Sequence, residues 1–343
     1  MSSLEPKRHH YIPQFILRNF NDENMQVNYW DIAAGTLEKR NTRSVFMNIH
    51  MYRDELNHPE NPTITESGLA AFEAEIAGLI KRFLSESQIE ITREELEKLR
   101  IFLTLLSFRS DLRMNQYKNN NFDSATRSVL ENYANGDFYD LWKREMAELA
   151  RCRSYQQIQE SSLLDPIIKN DFMNDLKGYY MTVVETRGQD FLISDVYPTL
   201  EICPMEDNLI SHTMVNMKLH RFYPISPSRM LVLNHIMFRS SAPDVLPLLQ
   251  SMKRVSRIRG DWLTPPKNKY VANGIPHKDD KYIYKVCKVY AQDIEYINAL
   301  FLNEARVGIV FQNAGGIEKS VEAFNRRSGI KQLYTELERR LHM

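Results

Sequence analysis

Apolar positions along the chain change period several times, and each change marks a different kind of element. Between residues 63 and 83, Leu69, Phe72, Ile76, Leu79, Ile80 and Phe83 recur at helical spacing, which predicts one amphipathic helix. Thr63 and Glu66 stand ahead of that stripe at capping-box spacing. Thr92 and Glu95 repeat the start signal before Ile101-Phe102-Leu103-Thr104-Leu105-Leu106-Ser107-Phe108. That run is apolar on nearly every side, which predicts a central, buried helix. Segments near 122–150 and 160–178 read as helical with less regular stripes.

On either side of this helical block the pattern differs. Pro13 suits the first turn of a short helix, Gln14 to Phe20. Val27 to Ile32 and Thr36 to Lys39 flank Ala33-Ala34-Gly35 and read as a β-hairpin, and Asn57 to Pro62 is a turn-rich break. From 180 to 233 the apolar runs shorten. Met181 to Glu185 and Phe191 to Ile193 surround Arg187-Gly188-Gln189, and His220 to Tyr223 and Met230 to Leu233 surround Pro224-Ile225-Ser226-Pro227-Ser228, giving two expected hairpins. Helical patterns return at 242–258, 292–313 and 316–341. The expected fold class is α+β, predominantly helical, with an N-terminal hairpin and a small antiparallel sheet from the middle of the chain. No linker or repeat divides it, so one domain spanning 1–343 is expected, with an N-terminal segment 1–60, helices 63–178, sheet 180–233 and helices 242–341.

Composition narrows the classes of function. The 343 residues are 43% hydrophobic and 10% aromatic, enough to fill a substantial core and to set disorder aside. A formal net charge of zero and a pI of about 7.1 leave no protein-wide field to steer a polyanion, so a nucleic-acid partner would need a local basic patch. The candidates are Lys253-Arg254 with Arg257 and Arg259, Arg326-Arg327, and Arg339-Arg340. On helices such clusters are commonly solvated faces, and a nucleic-acid footprint is the sharper reading. Three scattered cysteines, Cys152, Cys203 and Cys287, suit a reducing compartment. No apolar run approaches the ~20 residues of a membrane span, and Pro13 interrupts any secretory signal. A cytoplasmic protein without a membrane partner is expected.

Chemistry is suggested where polar groups fall on apolar faces. At 100° per residue, Phe102, Leu106, Arg109 and Arg113 lie on one line of the second long helix, so two guanidiniums continue a core stripe. They must be solvated, paired or set for an anion. Glu66 and Glu73, seven apart on the preceding helix, border its stripe and could face them. A structural ion-pair cluster and a phosphate site are both open readings. Ser194-Asp195 closes the apolar run Phe191-Leu192-Ile193 shortly before Pro198, which reads either as turn chemistry or as a strand-end site. His9 and His10 point apart on any regular backbone, and the other histidines show no ligand spacing, so a zinc centre is not expected. An oxygen-rich site for a divalent metal such as Mg²⁺ would leave little trace and stays open. Walker, dinucleotide-binding and serine-hydrolase motifs are all missing from the sequence.

His10-Tyr11-Ile12-Pro13-Gln14-Phe15-Ile16-Leu17-Arg18-Asn19-Phe20 resembles the N-terminal signature of the bacterial and fungal family called domain of unknown function 4238. That signature runs His, aromatic, Val or Ile, Pro, then x-x-Tyr-Leu-x-x-Phe. Further blocks agree in order: Phe108-Arg109 with Arg113 is similar to the family's helix-end arginine block, and Phe191 to Asp195 to its Phe-Ile-Thr-Ser-Asp-x-Pro block. Pro224 to Pro227 is similar to its Pro-Leu-Ser-Pro block, and a C-terminal helix from Ile297 to Val310 fits as well. The chain departs where Phe15-Ile16 replaces the usual Tyr and where Tyr197-Pro198 falls one residue late. The resemblance implies an α+β domain and implicates His10, Arg18, Arg109, Arg113 and Asp195; it carries no established activity. The expectation drawn from these groups is an enzyme acting on a phosphate-bearing substrate, nucleic acid or nucleotide, as a nuclease or related phosphoryl-transfer enzyme. Such an enzyme would suit a role in defence. His10 would be the acid or base, Arg109 would neutralise charge with Arg18, Arg113 and Ser194 binding substrate, and Asp195 would orient His10 or hold a divalent ion. The alternative is a non-catalytic binding module whose buried ion pairs are structural.

Overall fold

The structure is a computed structural model and describes residues 8–206, 214–236, 281–327 and 334–342. Among the described residues helix outweighs strand, and the α+β class stands. A short antiparallel pair, β1 (Arg8–His10) and β4 (Met47–Ile49), opens the chain, with His10 opposite Met47. Between them come α1 (Gln14–Leu17), a 3-10 turn over Arg18–Phe20, and the expected hairpin of β2 (Val27–Asp31) and β3 (Thr36–Arg40). Gly35 turns that hairpin at φ +63°, a conformation open to glycine at no steric cost.

The two long helices follow the periodicity. α2 (Ile64–Ser85) buries Leu69, Phe72, Ile76, Leu79, Ile80 and Phe83, every member of the expected stripe. Its start differs from expectation, because the Thr63 side chain makes no cap bond. β5 (Gln88–Thr92) separates it from α3 (Arg93–Phe108), where the Thr92–Glu95 capping box is complete. Phe102 of α3 lies between Phe15 and Phe72, with ring centroids 6.0 and 5.6 Å away. Burying a ring of this kind is worth about 2–3 kcal/mol, so this contact clamps α1, α2 and α3 together.

The chain then runs through α4 (Asp111–Lys118), α5 (Ser124–Glu131), α6 (Phe138–Leu149), α7 (Tyr155–Glu160) and α8 (Pro166–Gly178). It enters β6 (Tyr179–Glu185), then β7 (Ile193–Ser194), β8 (Thr199–Glu206), β9 (Met214–Pro224) and β10 (Arg229–His235). After the interval 237–280 come β11 (Lys281–Lys288), α9 (Ala291–Glu304), β12 (Gly308–Phe311), α10 (Ala314–Arg327) and α11 (Thr335–Leu341).

The sheets are larger than the sequence pattern suggests. β5-β11-β6-β10-β9-β8 form six strands, antiparallel except for the parallel β11–β6 pair. Outer strands β5 and β11 lie outside the 180–233 region in sequence. The expected hairpin of 220–223 with 230–233 is present as β9–β10. The other one is not: β6 pairs with β10 and β11, while β7 pairs with β12. A second sheet, β3-β2-β12-β7, absorbs the N-terminal hairpin and the Ile193–Ser194 strand. Its β12 falls inside the expected 292–313 helix, which ends at Glu304. Four apolar residues, Gly308 to Phe311, do not reveal their period, and pairing with β2 decides it. Gly308 is required there, since a Cβ would meet the Tyr29 hydroxyl and the Trp30 carbonyl. The 242–258 segment and the basic run 253–259 lie outside the described residues. Among the described residues no helix is long and apolar enough to cross a membrane.

Candidate functional site

The N-terminal segment delivers polar groups at a spacing of four. His10 ends β1, Pro13 redirects the chain into α1, and Gln14 and Arg18 follow His10 at successive steps of four residues. The Gln14 amide nitrogen lies 3.2 Å from His10 Nδ1, and Arg18 Nη2 donates to Gln14 Oε1 at 2.8 Å. From the other side, Glu66 and Glu73 come from positions two turns apart on α2, and Arg109 reaches in from the C-terminal end of α3. With Arg8 and Phe15 these groups line an open hollow of ≈ 360 Å³.

Arg109 forms the floor. It is 2% exposed, and Nη1 donates to Glu73 Oε1 at 2.7 Å while Nη2 donates to the His10 carbonyl. Its Nε faces the Tyr52 hydroxyl at 3.4 Å, and that hydroxyl donates back to the Arg109 carbonyl. A buried guanidinium is tolerated only when its charge and donors are met in this way. Arg109 thereby ties β1, α2 and α3 together, a positioning role that leaves it little capacity for an incoming phosphate.

The groups above that floor differ in state. Burial, reinforced by the Glu73 charge and opposed by Arg109, pushes the Glu66 carboxyl up to about 7, and its buried Oε2 has no hydrogen-bond partner. Burial also drives His10 down to about 4, helped by the Arg109 charge and opposed by the Thr42 backbone, so its ring is neutral at pH 7. Arg8 and Arg18 are exposed, and neither has a carboxylate partner among the described residues. The hollow therefore offers two cations without a carboxylate partner among the described residues, a neutral imidazole and a carboxyl pushed up to about 7.

The other residues singled out by sequence sit elsewhere. Helix α3 stops at Phe108, and Ser110 restarts the chain as the N-cap of α4, its hydroxyl accepting from Arg113 N. The line through Arg109 and Arg113 is broken there, and Arg113 opens into a separate hollow. Asp195 is committed to backbone: its Oδ1 accepts from Arg306, Val307 and Gly308 N–H at 2.9, 3.0 and 3.2 Å. Ser194 is fully buried and donates to the Val196 carbonyl at 3.1 Å. Neither lines the His10 hollow. His9 is a core residue whose Nδ1 accepts the Tyr52 N–H at 2.9 Å and whose ring stacks on Tyr52. Arg339 and Arg340 both pair with Glu336. Among the described residues, one His/Asp/Glu trio has ligand atoms within 4.8 Å of one another, namely Glu318, Glu322 and His342. In the hollow the carboxylate of Glu73 is set against Arg109 rather than gathered toward a cation.

Sequence reasoning anticipated Glu73 facing Arg109 but assigned no role to Gln14 or Arg8. The signal for Gln14 was present as the four-residue spacing His10, Gln14, Arg18.

Fold and site together define an α+β protein whose N-terminal signature segment and first two long helices enclose a polar hollow. The chain belongs to a family described as protein of unknown function (DUF4238), whose model matches residues 8–315. Neither the curated proteins nor the solved structures contain a match to it.

Proposed function

We propose that the hollow is a catalytic site for a phosphate-bearing substrate and that the chain is a phosphoryl-transfer enzyme of nuclease type. The observation that carries this reading is the convergence of Arg8, His10, Arg18 and Glu66 on one open hollow from β1, the α1 segment and α2. In this reading Arg8 and Arg18 hold phosphate oxygens, as guanidinium geometry favours. Glu66 takes the proton of an attacking water, whose oxygen bonds to phosphorus as the bond to the leaving oxygen breaks. The leaving oxygen takes its proton from solvent through the open mouth. A group titrating near 7 suits that task better than a histidine near 4, so the proton-handling role assigned to His10 from sequence passes to Glu66. Gln14 and Arg109 are positioning residues for His10, Arg18 and Glu73.

The fully engaged Arg109–Glu73 pair favours a second reading, a binding module in which these charges are structural. Cleavage of single- and double-stranded RNA and DNA oligonucleotides, with Mg²⁺ or with chelator, separates the two. The enzyme reading expects cleavage in at least one arm, lost in Glu66→Gln and Arg18→Ala with melting temperatures no lower than that of wild type. No cleavage in any arm, or cleavage persisting in both variants, contradicts it.

A further inference from the structure

A second polar hollow lies where Arg113 points, and it shares no lining residue with the first. It is small, ≈ 90 Å³, and is lined by Thr104 and Ser107 of α3, Arg113 of α4, Asp171 of α8, and Lys218 and Arg221 of β9. An adjoining hollow of ≈ 390 Å³ shares Asp171, Lys218 and Arg221 and extends to Tyr179 and His235. The smaller space holds several waters or one tetrahedral oxyanion; the larger holds an organic group.

The charges here do not balance. Arg113, Lys218, Arg221 and the buried Arg100 face two carboxylates, Asp171 and Asp175. Asp175 is fully buried and consumed by Arg221, whose Nη1 donates to it at 2.6 Å. Arg100 donates through Nη1 to the Tyr179 carbonyl and through Nη2 to the Asp175 carbonyl. Asp171 is half exposed and meets Arg113 only at 4.0 Å, a contact worth little in water. Lys218 Nζ has no hydrogen-bond or ion-pair partner among the described residues. The residue is exposed, yet the protein crowding its ammonium lowers its pKa, opposed by the Asp171 and Asp175 charges and helped by Arg221 and Arg113.

The cations are also held in place. Arg113 lies over Phe108 and Tyr117 at 5.6 and 5.5 Å, and Arg221 over Tyr179 at 4.9 Å. The Tyr179 hydroxyl donates to the Lys218 carbonyl at 2.6 Å, fixing the backbone that carries the ammonium. Arg113 and the Lys218 ammonium thus border a phosphate-sized space, with the Asp175-paired Arg221 adding its charge behind them.

We propose that Arg113 and Lys218 bind the phosphate of a small phosphate monoester, beside the Asp175-paired Arg221, and that its organic part occupies the adjoining hollow against Tyr179 and His235. This site is independent of the reading of the first hollow. Isothermal titration of the full chain with ribose 5-phosphate and, separately, with inorganic phosphate tests it. Lys218→Ala and Arg113→Ala should each weaken one ribose 5-phosphate site roughly tenfold or more, as expected for loss of a charge-assisted hydrogen bond, with Lys218→Arg largely retaining it. Both positions are partly or fully exposed, so melting temperatures should stay within a few degrees. No binding of either ligand, or equal affinity in wild type and both alanine variants, overturns the site. Inorganic phosphate binding as tightly as the ester overturns the assignment of the organic part to the adjoining hollow.

Discussion

The Arg109 guanidinium and the Glu73 carboxylate meet at 2.7 Å beneath the hollow, and the arginine is the more deeply buried partner. Removing the carboxylate strands a charge that water reaches poorly. Glu73→Gln should therefore destabilise the protein by about 2–3 kcal/mol in urea unfolding, below the full cost of breaking a buried pair because Glu73 itself is 22% exposed. A change within 0.5 kcal/mol would show that Arg109 needs no counter-charge.

Glu66 makes stability depend on pH. Its carboxyl is held near 7 in the folded protein, against an ordinary value of 4.5 when unfolded, so folding favours the protonated form. The stability from this group is complete below about pH 4.5 and is lost as pH rises through 7. Glu66→Gln should flatten that decline. It should match wild type near pH 4 and exceed it by about 1–2 kcal/mol at pH 8, in chemical denaturation across that range.

The hollow was half legible in the sequence. His10, Arg18 and Arg109 were found because a dense polar cluster and an arginine on an apolar stripe both need an explanation. Arg113 falls in line with Arg109 only if one helical period is carried across 109–110. The Ser110-Asp111 pair that caps a new helix is the local signal that breaks it. Strand pairing was the least readable level. β5 shows its alternation in Gln88-Ile89-Glu90-Ile91-Thr92, but its partner residues in β11 lie 189 to 197 positions further along the chain, and a contact of that kind has no local signature. The same holds for β12, whose partner is the N-terminal hairpin.

Asp195 acts as a structural acceptor, and its variants should behave accordingly. Asp195→Ala leaves three backbone N–H groups without their shared oxygen and should cost about 2–4 kcal/mol. Asp195→Asn, which keeps a carbonyl oxygen, should cost about 1 kcal/mol. Thermal denaturation reads both; an Asp195→Ala protein as stable as wild type would return this carboxylate to the list of reactive groups.

Phe102 ties the signature segment to the helices that carry Glu66 and Arg109. Phe102→Ala should cost about 3–5 kcal/mol by cavity formation. Hydrogen exchange should show the loss spreading into α1, since Phe15 rests on the same ring. Protection unchanged in residues 14–20 would mean that α1 is held independently of this contact.

In the proposed mechanism Glu66, framed by Arg8, His10 and Arg18, handles the proton in phosphate-ester cleavage. The most direct measurement is the pH dependence of kcat/KM on an oligonucleotide that wild-type protein cleaves, compared with Glu66→Gln. The wild-type profile should rise to a plateau through an inflection near 7, and the variant should lose at least a hundredfold in rate together with that inflection. An unchanged inflection in Glu66→Gln at near-wild-type rate would contradict the account.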